Sequence, residues 1–375
     1  MCRALLPAWS GVAAARLEPV AGGITNSLHR VVPSSASEGA EGDENGQLEP
    51  VVLRVFGRGT EKFLDRETEA AALTELNAFG FGARCLGVFE NGRLEAFLAD
   101  ARPAAPDEMA DARVSRAVAR ALRRFHACDV RARRVAAPRE THSDARESTL
   151  VPRTWDIMRS WHEAATTETD SAHDADPRLE ALGLARMSAD VDALEAATKR
   201  AVDAPTVLLH NDALAGNIML PAGYARARAG HDPDVTLIDF EYACYGPRGF
   251  DLANHLIEHA GFECDWRRLP TRAFRRDFCA AYLGDEGPLD EAAVTRLRLE
   301  TEAFYPVSHL WWGLWAAMQA RTSTIDFDYA GYAAKRLAEF RRIVETRRLE
   351  TDGRLVSGAA GAGADDADVL GPRSP

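Results

Sequence analysis

The sequence predicts an α+β protein of two lobes, a small β-rich N-terminal lobe and a larger, mainly helical C-terminal lobe. Three observations point there. The chain has 375 residues, enough for two compact units. Residues 1–100 read strand, strand, helix, strand, strand. Beyond Pro106 the apolar spacing becomes helical almost throughout.

Taken in order, residues 28–32 and 51–56 are β-branched and apolar runs on either side of a polar stretch, which predicts two adjacent strands joined by a long loop. Residues 65–79 are Ala-rich, with Leu73 and Leu76 on one face and Gly80 just beyond, the pattern of a helix and its stop. Strands at 85–90 and 93–98 flank Asn91-Gly92, a hairpin turn. Helices follow at 112–128, 154–166, 187–202 and 292–321, interrupted by two short apolar runs, 207–210 and 235–240, each ending in unusual polar residues. Residues 33–50, 135–150 and 351–375 lack enough apolar surface to offset the entropy of ordering and are expected to be flexible. The expected division is thus 1–100, 101–350 and a disordered tail, 351–375, without an internal repeat.

Composition narrows the function. The formal charge is −12, from 45 Lys+Arg against 57 Asp+Glu, and a general nucleic-acid binder would need a basic face instead. Lys62, Lys199 and Lys335 are the only lysines, so a mechanism built on a titratable lysine has three candidates, none within a recognisable motif. No apolar run approaches the roughly 20 residues of a membrane helix, and the first ten residues are too sparsely apolar for a secretory signal. Six scattered cysteines without a CxxC pair suit reduced thiols in a cytoplasmic protein better than disulfides or a zinc site.

The chemistry concentrates after the two short apolar runs. Leu208-Leu209 leads into His210-Asn211-Asp212, and Asn217 follows Asp212 by five positions. Leu237-Ile238 then leads into Asp239-Phe240-Glu241. Phosphoryl transfer needs this set: one carboxylate to hold and deprotonate a hydroxyl, an amide and a second carboxylate to hold Mg²⁺ on nucleotide phosphates. The Asp212–Asn217 spacing equals that of the catalytic-loop Asp and Asn of protein kinases. Either residue alone could equally cap a helix or close an Asx turn; the ordered trio with Asp239 argues against that. A metal-hydrolase reading of His210 lacks a second His at a familiar spacing, and His210 is expected to hydrogen-bond the catalytic loop.

In the N-terminal lobe, Gly22-Gly23-Ile24-Thr25-Asn26 precedes the first strand, where backbone N–H groups could approach phosphate, though Gly-Gly turns are common. Arg54, in Val52-Leu53-Arg54-Val55-Phe56, puts a charge on an apolar strand and so calls for a partner. The expected partner is Glu69 on the following helix, with Glu67 as second choice; an exposed edge position is the alternative.

These segments together resemble the choline/ethanolamine kinase family. So do Arg248-Gly249-Phe250-Asp251-Leu252-Ala253-Asn254-His255, Ser308-His309-Leu310-Trp311-Trp312-Gly313-Leu314-Trp315 and Ser323-Thr324-Ile325-Asp326-Phe327-Asp328-Tyr329. The resemblance spans about residues 20–345, and Asp251-Leu252-Ala253-Asn254-His255 and Trp311-Trp312-Gly313-Leu314-Trp315 separate it from aminoglycoside phosphotransferases, which the two acidic motifs alone would also fit. It implies a protein-kinase-like two-lobed fold, ATP and Mg²⁺ as cofactors, and transfer of phosphate to a small amino alcohol, the first step of a CDP-base route to phospholipids. It carries catalysis onto Asp212, Asn217 and Asp239, metal binding onto Asn217, Asp239 and Glu241, and the nucleotide onto Gly23, Thr25, Asn26, Arg54, Glu69, Phe97 and Leu98. It carries the amine pocket onto Asp212, Tyr242, Glu258, Trp312, Trp315, Phe327 and Tyr332. A homodimer is compatible with the family, without a segment here that marks an interface.

Aromatic faces and carboxylates are what a small hydroxylated cation requires. The stretches Glu258-His259-Ala260-Gly261 and Ser323-Thr324-Ile325-Asp326-Phe327-Asp328 look more like ethanolamine than choline kinases, which favours ethanolamine, with a choline or dual kinase as alternative. A catalytically inactive kinase-fold binding protein is the reading from another class; the presence of Asp212, Asn217 and Asp239 opposes it.

Overall fold

The computed structural model describes residues 1–20, 26–34, 48–57, 66–131, 152–167, 176–224, 231–284, 288–323, 325–349, 355–357 and 370–371, with the backbone alone at 66–68, 347–349 and 355–357. Gly22, Gly23, Ile24 and Thr25, the side chain of Glu67, and most of the three expected flexible stretches lie outside that set.

The N-terminal lobe is an antiparallel sheet of β1 (Ala15–Val20), β2 (Asn26–Pro33), β3 (Val51–Phe56), β4 (Cys85–Phe89) and β5 (Gly92–Ala96), ordered β1-β2-β3-β5-β4. A short helix, α1 (Cys2–Leu5), packs beside β4. The lobe's own core is small: Trp9, Val31, Val51 and Leu94, with Leu5, Leu48 and Leu53 packed around them. Gly92 is obligatory at the β3–β5 contact, because a Cβ there would lie 2.2 Å from the Arg54 carbonyl oxygen. Helix α2 (Arg66–Ala78) joins the large core through Ala72, Leu73 and Leu76, so it couples the two lobes.

The C-terminal lobe has the longer list of helices. They are α3 (Ala112–His126), α4 (Thr154–Thr166), α5 (Pro177–Ala181), α6 (Met187–Ala201), α7 (Arg248–Ile257), α8 (Arg272–Leu283), α9 (Glu291–Ala303), α10 (Tyr305–Thr322) and α11 (Tyr329–Thr346). Two short ladders carry the acidic motifs, with every strand but β6 lying between α6 and α7 in the chain. β7 (Thr206–Leu209) pairs with β10 (Cys244–Pro247), and β8 (Ile218–Pro221) pairs with β6 (Ala101–Pro103) and β9 (Thr236–Leu237). One apolar core runs through α3, α7, α8, α10 and α11. Gly313 lets α10 and α11 approach closely, since a Cβ there would meet Leu337 Cδ2 at 2.4 Å. No helix among the described residues is long and apolar enough to cross a membrane.

The helix expected over 292–321 is two helices. Pro306, near the start of α10, cannot continue the hydrogen-bond ladder from α9 and starts a new helix instead. The tail also departs from expectation. Leu355–Ser357 forms β12 against β11 (Arg347–Leu349), and Leu370 is buried against the large core. At the edges of the first polar stretch, Pro33 closes β2 and Leu48 packs on the small core.

Candidate active site

β7 delivers His210-Asn211-Asp212 into a loop that α7 holds by its backbone. Asp251, in the first turn of α7 and fully buried, accepts N–H bonds from His210 (2.7 Å) and Asn211 (2.8 Å), and meets His126 Nε2 at 2.9 Å. Burial works to raise its pKa, but the His126 hydrogen bond and the charges around it hold the carboxyl below its usual value. Three and four residues on, on the same helix face, Asn254 Nδ2 donates to the Asn211 carbonyl (3.1 Å) and His255 Nδ1 to the Ala213 carbonyl (2.8 Å). Burial pushes His255 down to about 4, so its ring is neutral. Asn211 itself sits at φ 66°, a left-handed position that Asn tolerates, and its Nδ2 donates to the Tyr242 carbonyl at 2.8 Å. His210 accepts from the Asp212 N–H (3.2 Å) and donates to the Ile238 carbonyl (3.0 Å), as expected of a residue that braces the loop.

The structure brings the predicted acids together. Asn217 Nδ2 donates to both the carbonyl and Oδ2 of Asp212, each at 2.8 Å. Asp239 adopts φ 66° just beyond β9 and accepts from Arg54 Nη1 at 3.2 and 3.3 Å. Glu241 accepts from Asn26 Nδ2 at 3.0 Å, joining the end of the glycine-rich turn to the second acidic motif. Burial drives the Asp212 pKa well above the carboxylate range, and the charges of Glu258, Asp239 and Glu241 add to it, with the Asn217 hydrogen bond opposing.

Arg54 is buried, as its place on an apolar strand requires, but its partner differs from expectation. Its Nε donates to Glu95 Oε1 at 3.1 Å, and the same oxygen takes Arg93 Nε at 2.5 Å. Arg93 Nη1, not Arg54, bonds Glu69 at 2.6 Å. The expected Arg54–Glu69 pair is therefore a relay, Glu69–Arg93–Glu95–Arg54–Asp239. The reason lies in strand register: Arg54 and Arg93 stand directly opposite on β3 and β5, and Glu95 between them relieves a like-charge contact. Phe97 and Leu98 follow β5 part-buried, with the Arg30 guanidinium 4.5 Å from the Phe97 ring centre.

Beyond Asp212 lies a cluster of aromatic rings. Trp312 and Trp315 share a face of α10 with ring centres 5.3 Å apart, and both meet Tyr242 edge-on, at 5.6 and 6.5 Å. Trp315 Nε1 donates to the Tyr242 hydroxyl at 3.0 Å. Phe327 lies 6.0 Å from Tyr332. Glu258, buried at the end of α7, has its pKa raised by burial and lowered in part by Arg336.

The family model for choline/ethanolamine kinase matches residues 17–341 of this chain. The chain belongs to the choline/ethanolamine kinase family. This kinase is 33% identical over 347 residues to a probable ethanolamine kinase of Arabidopsis thaliana, covering 91% of this chain and 83% of that one. It is 29% identical to a probable choline kinase 2 of the same plant, covering 86% and 83%. Among solved structures it resembles the Plasmodium vivax ethanolamine kinase, with a TM-score of 0.72 at 25% identity, covering 88% of this chain and 83% of that one. The fold is thus protein-kinase-like, and the enzyme is a phosphotransferase that acts on an alcohol.

Several residues of this kinase's site escaped sequence reasoning. Asp251, Asn254 and His255 were noticed as a family signature, but their task, holding the catalytic loop, needed coordinates. Arg93 and Glu95 alternate on one strand face, a spacing that could have marked them. Phe262, 5.6 Å from Phe327 and 5.9 Å from Tyr332, and Tyr329, 5.6 Å from Trp315, extend the aromatic cluster.

Proposed function

We propose that this kinase transfers the γ-phosphate of Mg-ATP to the hydroxyl of ethanolamine, in preference to choline, in the cytoplasm. One observation carries the reading. The part-buried Asp212 carboxylate feels Glu258 from the end of α7 and Asp239 and Glu241 from the second acidic turn. Four acids so close call for cations, and the substrate ammonium and Mg²⁺ are of the right sign to supply them.

Among the described residues no group of three or more His, Cys, Asp or Glu side chains could hold a metal ion by itself. That fits magnesium, which uses one or two carboxylates and completes its shell with phosphate oxygens and water. Asn217 Oδ1, Asp239 and Glu241 would hold it, and the ion would neutralise charge on the phosphates. Arg54, fixed by Glu95 and Asp239, would face phosphate, and Asn26 and the Phe97-Leu98 segment would line the rest of the nucleotide site. Asp212, with Oδ2 fixed by Asn217, orients the substrate hydroxyl and takes its proton. Rate enhancement then comes from positioning and electrostatics, without a phospho-enzyme.

For the amine, Glu258 and Asp212 offer acceptors that a primary ammonium can use and a quaternary one cannot. Trp312, Trp315, Tyr242 and Tyr332 are buried and packed against neighbouring rings, an enclosure suited to a small headgroup. The test is kcat/KM for ethanolamine, its N-methylated forms and choline with Mg-ATP. A steady fall with each methyl is expected, and a higher value for choline overturns the preference. Asp212→Ala should abolish turnover and leave ATP binding largely intact; near-normal turnover sinks the assignment.

A further inference from the structure

Glu258 faces one buried cation, and that cation is tied to much more. Arg336 of α11, only 1% exposed, places Nη1 3.4 Å from Glu258 Oε1. Its Nη2 donates to the carbonyl (3.4 Å) and hydroxyl (3.2 Å) of Ser308 on α10. The Ser308 hydroxyl donates in turn to Asn254 Oδ1, which also accepts from Trp312 Nε1 at 3.2 Å. Asn254 Nδ2 then donates to the carbonyl of Asn211, the residue before Asp212. A continuous buried path therefore runs from the amine side of the site to the catalytic loop.

Arg336 is not bonded as a purely structural arginine would be. Its buried Nε has no hydrogen-bond partner among the described residues, and its contacts to Glu258 and Ser308 are long for charged bonds. A buried ion pair of this quality adds little to stability.

We propose that Arg336 is a positioning residue: it sets Glu258 as the anchor for the substrate ammonium and, through Ser308 and Asn254, ties that anchor to the loop carrying Asp212. The proposal rests on the reading of Glu258 as part of the amine pocket. The charged and titratable groups that face Glu258 are Arg336 and Tyr332 from α11, Asp212 from the catalytic loop and Cys264 from the turn after α7. Arg336 is the cation among them. Without it Glu258 takes up a proton at higher pH, and the ammonium loses its anchor.

The experiment uses the full chain with Mg-ATP and ethanolamine, comparing wild type, E258Q, R336Q, R336K, S308A and the doubles R336Q/S308A and R336K/S308A across pH, with thermal midpoints alongside. R336Q should raise the ethanolamine KM by about tenfold or more, as expected for breaking a buried charge pair, and leave the ATP KM within about twofold. The acid limb of the ethanolamine KM should move to higher pH in R336Q and return in R336K. S308A should lower kcat severalfold with little change in that KM, and the doubles should be non-additive, because the two residues share one path. Equal changes in both KM values, or additive doubles, overturn the proposal. Should R336Q fail to fold, the limb of R336K and the R336K/S308A cycle decide the question alone. If E258Q leaves the ethanolamine KM unchanged, the amine-pocket reading fails and the proposal with it. If E258Q raises that KM while neither Arg336 variant does, only the present proposal fails.

Discussion

On the N-terminal side of the site, Arg54 and Arg93 face each other across β3 and β5 and are reconciled by Glu95, with Glu69 and Asp239 at the two ends of the relay. On the C-terminal side, Asp251, Asn254 and His255 grip the catalytic loop by its backbone, and Asn254 and His255 are neutral. The two devices differ in how steeply they depend on distance. Attraction between charges falls slowly with separation, whereas a hydrogen bond weakens sharply once length or angle departs from its narrow optimum. An ionic relay therefore keeps its hold on Arg54 over a wider range of separations. A hydrogen-bonded grip holds the backbone of the loop that carries Asp212 within a narrow range of positions.

The harshest way to break that contrast is to remove the centre of the grip. Asp251→Ala strips the acceptor from two loop N–H groups and from His126 at once, and should cost about 3–5 kcal/mol of stability together with turnover. A thermal midpoint close to wild type would show that the loop is held by something else.

Acid should act on the grip before it acts on the relay. His259, buried beside His255, is pushed down to about 3 by burial and by the charges of His255 and Arg268. The unfolded chain protonates this ring as pH falls below its ordinary 6.5, while the folded chain does so only near 3, so stability is lost over that window. The loss is on the order of 2 kcal/mol by about pH 5. Glu95 has a pKa lowered from 4.5: burial works to raise it, and Arg54 and Arg93 more than offset this. Its contribution is therefore intact above 4.5 and disappears only as pH falls through its lowered folded value. In chemical denaturation, His259→Phe should gain on wild type steadily from neutral pH downward. Asp212 and Glu258, whose raised values act in the opposite direction, are common to both proteins and cancel in the comparison. A constant difference across the pH range would rule the histidine out.

The mildest test probes the relay. Arg54→Lys keeps a positive charge but cannot bond Glu95 and Asp239 with separate nitrogens, as Nε and Nη1 now do. It should lower kcat/KM about tenfold, or about 1.4 kcal/mol, chiefly through the ATP KM, with the thermal midpoint nearly unchanged. Full activity would mean that charge alone suffices at this position.

The sequence was legible where the signal is local: the β3 strand lies where its pattern put it, and the apolar runs before Asp212 and Asp239 form β7 and β9. Legibility failed where the decision depends on a distant strand or helix. Nothing along the chain tells which of Arg54 and Arg93 takes the helix carboxylate, because that is settled by the β3–β5 register. β1 was missed because it contains Pro19 and its apolar–polar alternation, Ala15-Arg16-Leu17-Glu18, is short and, being mostly exposed, buries no face. β10, Cys-Tyr-Gly-Pro, has no strand signature and exists through its pairing with β7. Arg336 lies on a helix that periodicity did not single out, and its partners are 78 and 28 positions away in the chain.

The close approach at Gly313 gives the amine side of the site a built-in caliper. Trp312 and Trp315 ride on α10, Tyr332 and Arg336 on α11, and the gap between those helices is gauged by one missing methyl against Leu337. Exchanges at 313 and 337 would therefore change the spacing between the rings on α10 and those on α11 without touching a charged side chain. Width and charge are separately heritable traits of this region.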